Sequence, residues 1–163
     1  MKKPVSWLMT LLLLAVFAAA QEKSGLIVEG RDGKQIVFSI EQLKKMPHQT
    51  VSATNSHTKT TNNYEGVLLS TLLAEAGAPS GEALRGAELR DYVEAAGADN
   101  YRVIFSLVEL DPMFQDNKII VADLMDGKPL PSKQGPLQLI VPQDRRLTRC
   151  VRMLASIRVR QAP

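Results

Sequence analysis

Tyr64-Glu65-Gly66-Val67-Leu68-Leu69-Ser70-Thr71-Leu72-Leu73-Ala74-Glu75-Ala76-Gly77 is the clearest helical signal in the chain. From Gly66 onward, Val67, Leu68, Leu69, Leu72, Leu73 and Ala76 recur at helical spacing and form one apolar face. Gly77 and Pro79 end it, because glycine accepts a left-handed cap and proline cannot continue a helix. The segments on either side are short and β-type. One helix set among many strands predicts an α+β domain, a β-rich mixed sheet with short helices.

Upstream, residues 26–29 and 35–38 are two β-type runs. The turn-rich Gly30-Arg31-Asp32-Gly33-Lys34 separates them, so the pair reads as a hairpin. Ser39 with Gln42 fits a capping box for a short helix through Met46, closed by Pro47. Residues 51–54 read as a strand. Residues 54–63, TNSHTKTTNN, contain no aliphatic side chain and read as a polar loop, for binding or merely mobile.

Downstream, residues 82–98 are ambiguous: their Ala, Glu, Leu and Arg content favours helix, yet Leu89, Tyr92 and Val93 suit a strand. Residues 101–105 are β-type. Ser106 and Glu109 form a second capping-box pattern at a short helix. Residues 118–122 and 137–141 are strands, with a turn at Asp126-Gly127-Lys128-Pro129 between them. The tail Ile157-Arg158-Val159-Arg160 alternates with period two, as a half-exposed strand does.

The chain has 163 residues and a formal charge of +3. Its start reads as a secretory signal peptide over residues 1–20: Lys2 and Lys3, an apolar run over residues 5–17, then Ala18-Ala19-Ala20 as the small residues before a cut. An uncleaved anchor is disfavoured by the polar Gln21, Glu22 and Lys23, and by an apolar run shorter than the ~20 residues a span needs. The expectation is one domain over residues 21–163, periplasmic or secreted, with no membrane span after cleavage. The leader takes two lysines and no acid with it, so the mature charge is nearly neutral. That makes nucleic acid a poor partner.

Known catalytic templates are absent: no GxGxxG, P-loop, GxSxG, CxxC or HExxH occurs. His48 and His57 are the only histidines, and no spacing of acids or cysteine makes a metal site with them. The single cysteine, Cys150, cannot form an internal disulfide; it reads as a small buried residue, with reactivity favoured by nearby arginines as the alternative. Arg145, Arg146, Arg149, Arg152, Arg158 and Arg160 crowd residues 145–160, against Asp144 alone. The first four are candidates for an anion site, since the guanidinium fork suits carboxylate or phosphate.

The order of these segments resembles the molybdopterin-binding oxidoreductase domain with the sulfite-oxidase fold. Tyr64-Glu65-Gly66-Val67-Leu68-Leu69 with Leu72-Leu73 and Ala76-Gly77 is similar to the family's y-x-G-v-p-L-x-x-L-L-x-x-a-G. Asp99-Asn100-Tyr101 resembles D-G-Y, with Glu109-Leu110 following. Asp126-Gly127-Lys128-Pro129-Leu130 resembles n-G-x-p-L, and residues 135–142 resemble G-x-P-l-R-l-v-v-P. Arg149-Cys150-Val151-Arg152 with Ile157 and Val159 resembles the closing r-w-v-K-x-l-x-x-I-x-v. The resemblance tips residues 87–95 toward strand.

Two departures carry weight. Catalytic members hold molybdenum by a cysteine thiolate placed just after the strand before the y-x-G-v-p-L segment. That place here is Ala53-Thr54-Asn55-Ser56, and Gln138 stands where the family has an arginine. Thr and Asn do not replace a soft thiolate. The resemblance therefore implies a cofactor-free domain with no catalytic and no metal-binding residue. It would bind a small anionic ligand or an envelope protein partner through Thr54, Asn55, His57, Tyr101, Arg149 and Arg152, in the former cofactor cleft. The alternatives are a molybdopterin-dependent oxidoreductase with atypical cofactor ligation, and a structural subunit of an envelope complex.

Overall fold

Strand pairing divides the molecule into two sheets. The computed structural model describes residues 25–163, so the expected leader and its cut lie outside the described residues. The first sheet runs β2 (Gln35–Ser39), β1 (Gly25–Glu29), β10 (Leu154–Gln161), β5 (Asp91–Gly97), β6 (Arg102–Ser106). The second runs β3 (Gln49–Thr54), β4 (Thr61–Leu68), β7 (Ile120–Met125), β8 (Lys128–Pro129), with β9 (Gln138–Ile140) also paired to β7. Among the described residues only β1 and β10 pair in parallel. One buried cluster takes Val28, Val93 and Ile157 from the first sheet and Val67, Ile120 and Leu139 from the second. No helix among the described residues is long and apolar enough to cross a membrane.

The hairpin of β1 and β2 forms as expected, with Val28 opposite Ile36. So does the capping box. Ser39 Oγ accepts from Gln42 N–H at 3.2 Å, and Gln42 Oε1 accepts from Ser39 N–H at 2.8 Å. The helix it starts is short, Ile40–Leu43. The second capping box does not form. Ser106 precedes a 3₁₀ turn, Leu107–Leu110, without a side-chain cap, and the Glu109 carboxylate turns to Arg149 instead.

The central helix starts three residues later than its apolar spacing predicts, at Leu69 and running to Glu75. Gly66 explains the delay. A Cβ on Gly66 would lie 2.1 Å from the Val121 carbonyl oxygen, so β4 and β7 meet there backbone to backbone. Pairing then carries the strand to Leu68 opposite Ile120. Leu69, Leu72 and Leu73 still bury the expected face.

Register shifts between Glu65 and Gly66, which leaves Asp123 as the extra residue of a bulge on β7. The bulge aims Asp123 at His48. Nε2 of His48 lies 3.1 Å from Asp123 Oδ1, and Nδ1 lies 2.7 Å from the Met46 carbonyl. His48 therefore clasps the entry of β3 to the second sheet, far from His57. Residues 82–98 hold no α-helix: two 3₁₀ turns precede β5. The tail strand β10 lies at the centre of its sheet. Its outward Arg158 and Arg160 pair with Glu29 and Glu94 rather than forming a free rim.

Candidate functional site

The polar segment 54–63 is a loop only in its middle, since Thr54 ends β3. Its last three residues belong to β4, and only Asn55 to Thr60 form the hairpin end. Asn55 organises that end: its N–H donates to Thr60 O at 2.9 Å, and its Oδ1 accepts from the N–H of His57 at 2.9 Å. The loop is thus tied to itself by short-range hydrogen bonds, which is what Asn does in turns.

Strand alternation sets which side chains face inward. Ala53 is buried and pairs with Asn62, while Tyr64 pairs with Val51. Ala53, Asn62 and Tyr64 form one wall of a cleft of about 230 Å³. The facing wall comes from Gln134, Gln138, Cys150 and Arg152. That wall is stapled by backbone bonds: Leu139 N–H donates to Val151 O at 2.9 Å, and Met153 N–H to Gln134 O at 2.7 Å. Met153 takes a left-handed φ of 46°, an unfavourable conformation held in place by these bonds.

Of the six expected residues, Asn55 and Arg152 line this cleft. Tyr101 lines an adjoining hollow of about 260 Å³ that shares Arg152 and Cys150, and its hydroxyl donates to the Thr148 carbonyl. Thr54 faces the other side of the sheet, where its Oγ1 pairs with that of Thr61 at 2.8 Å. His57 sits exposed at the hairpin end. Arg149 is clamped: Nε and Nη2 donate bidentately to Asp144 at 2.8 Å each, and Nη1 donates to Glu109 at 2.8 Å. Its guanidinium also stacks 4.7 Å from the Phe105 ring centre. The Asp144 hydrogen bonds, then those of Glu109, push its pKa further above the ordinary value. The structure thus gives Arg149 a structural place outside the cleft, whereas Arg152 is exposed and has no acid within 4 Å among the described residues.

Asn62, within the polar segment 54–63, also lines the cleft, and so do Tyr64, Gln134 and Gln138, which were not among the expected residues. Two signals point to them. Asn62 and Tyr64 follow from the inward parity of Ala53 once the hairpin register is known. Gln138 is the polar residue inside the apolar run 137–141.

No His, Asp or Glu lines the cleft among the described residues. The Cys150 thiol is pushed up to about 11, mainly by burial, and accepts the Val141 N–H at 3.3 Å. It is neutral at physiological pH.

Comparison with known proteins agrees with this architecture. The family model described as the oxidoreductase molybdopterin binding domain matches residues 14–163. Among solved structures, the sulfane dehydrogenase SoxCD from Paracoccus pantotrophus is similar, with a TM-score of 0.64 and 20% identity. The alignment covers 85% of this chain and 38% of that one, so this chain spans well under half of that protein's length. At this identity the likeness shows the fold, the α+β sulfite-oxidase fold. No curated relative matches the chain. On the extent of the family match, the chain belongs to the oxidoreductase molybdopterin-binding domain family.

Proposed function

We propose that this chain is an exported, cofactor-free member of its family whose cleft binds a small anionic ligand in the cell envelope. One observation carries the reading. Among the described residues Arg152 stands without an acid partner, at a cleft otherwise lined by amides, hydroxyls, apolar groups and the Cys150 thiol. A free guanidinium beside neutral hydrogen-bonding groups attracts a carboxylate, sulfonate or phosphate.

The donor set does not fit a molybdenum centre of the family's kind. Ala53-Thr54-Asn55-Ser56 stands where the family's thiolate belongs, and none of these residues supplies a sulfur ligand. Among the described residues no group of three or more His, Cys, Asp or Glu is placed to hold a metal. A second reading, molybdopterin held by an atypical ligand, rests on Cys150, whose thiol lines the same cleft from the opposite wall. Its raised pKa and its hydrogen bond to Val141 count against it.

Titration of the purified chain with benzoate, followed by amide NMR, tests the anion site. Shifts are expected at residues 58–62 and 134–138, and Arg152→Ala should weaken binding about tenfold. An unchanged affinity in Arg152→Ala would remove the assignment. Fractionation of cells expressing the full chain tests export: recovery with the cytoplasm would contradict it.

A further inference from the structure

The inner wall of the cleft carries groups that the protein itself leaves unanswered. Gln138 opens β9, a strand whose three residues are all buried, and is 6% exposed. Its amide oxygen is buried without a hydrogen-bond donor, and so is that of Gln134. Buried amides are normally satisfied, because desolvating one without a partner is costly. A leucine at 138 would fill the same place in an apolar run at no such cost. Both glutamines line the cleft together with Arg152.

The last torsion of a glutamine is broad and two-fold, so a half-turn brings either end of the amide to the cleft. Each glutamine can therefore offer either an acceptor or a donor, and the two together can offer both side by side. The complement of that pair is a planar edge with a carbonyl next to an N–H. A ligand ammonium is a poorer match, since no carboxylate lines the cleft to balance its charge. A cavity of about 230 Å³ has room for one ring with one anionic group.

We infer that the ligand is a small planar acid with an amide-type edge: its anionic group meets Arg152, and its adjacent C=O and N–H meet Gln138 and Gln134. This rests on the reading of the cleft as an anion site and adds which acid the site prefers. Gln138 and Gln134 are then the specificity-determining residues. A site built to hydrogen-bond a ligand discriminates against an analogue that lacks the matching groups, because its buried polar atoms stay unpaired.

Orotate and benzoate separate the two claims. Both are planar six-membered rings bearing one carboxylate, and only orotate carries C=O and N–H edges. Calorimetric titration of the purified chain should show orotate binding at least about tenfold more tightly than benzoate. Gln138→Leu should abolish most of that preference, read as the ratio of the two affinities, and Gln134→Leu, at a less buried position, should reduce that ratio in the same sense. Arg152→Ala should weaken both acids. Equal affinities for the two acids, with Arg152→Ala still weakening both, would overturn the amide-edge inference and leave the anion site standing. Failure of both acids to bind would remove the anion site and the inference together.

Discussion

Arg149 and Arg152 are three residues apart and have opposite roles. Arg149 spends its fork on Asp144 and Glu109, joining two loops over Phe105. Arg149→Met should cost about 1–2 kcal/mol in urea unfolding, allowing for partial exposure, and should leave benzoate affinity unchanged. Arg152→Ala should do the reverse. Cys150 gives a second residue-scale prediction. Its folded pKa, about 11, lies above the ordinary value of 9.0. The stability it contributes is therefore complete below pH 9.0 and is lost as pH rises through about 11. At neutral pH the native thiol should react with a disulfide reagent only as fast as the chain opens, and urea should release it. Fast stoichiometric labelling of the native state would contradict this burial. The arginine cluster was legible in sequence, but the partition within it was not. Asp144 and Glu109 reach Arg149 from five and forty residues away, a distance that only the fold closes.

Among the elements, the contact of β4 with β7 at Gly66 decides where strand yields to helix. Gly66→Ala would force a Cβ against the Val121 carbonyl and should destabilise the domain by about 3 kcal/mol. Chemical denaturation checks it, and a loss below about 1 kcal/mol would mean that the strands part easily. Leu72 is fully buried on the helix, so Leu72→Ala should cost about 2–5 kcal/mol by the same assay. Local chemistry made several elements readable. The Ser39 box, the β1–β2 hairpin and the Asp126-Gly127 turn formed, the last with φ of 52° and 73°, as a two-residue hairpin demands. Three features were set by tertiary contacts instead. Pairing with β7 overrode the helical spacing at residues 66–68. Pairing with β3 turned polar residues 61–63 into strand. Arg149 drew Glu109 away from the Ser106 cap.

Across the whole molecule, charge ties the first sheet together. Glu29 on β1 meets Arg160 at 2.6 Å and Arg158 at 3.7 Å on β10, and Glu94 on β5 meets Arg158 at 3.7 Å and Arg102 at 3.2 Å on β6. Hydrogen bonding from Arg160, then from Gln35, lowers the Glu29 pKa below 4.5. That stability is present above pH 4.5 and lost as pH falls through the lower folded value. Thermal melts should decline below pH 4.5, and Glu29→Gln should flatten part of that decline. The period-two arginines were visible in sequence; that their strand is central was not, because it depends on β10 lying between β1 and β5.

At this scale the central claim is that a family fold persists here without its metal. Elemental analysis of the full chain, purified from the envelope of its native host, tests that most directly. No molybdenum above background is expected; one molybdenum per chain would overturn the cofactor-free reading.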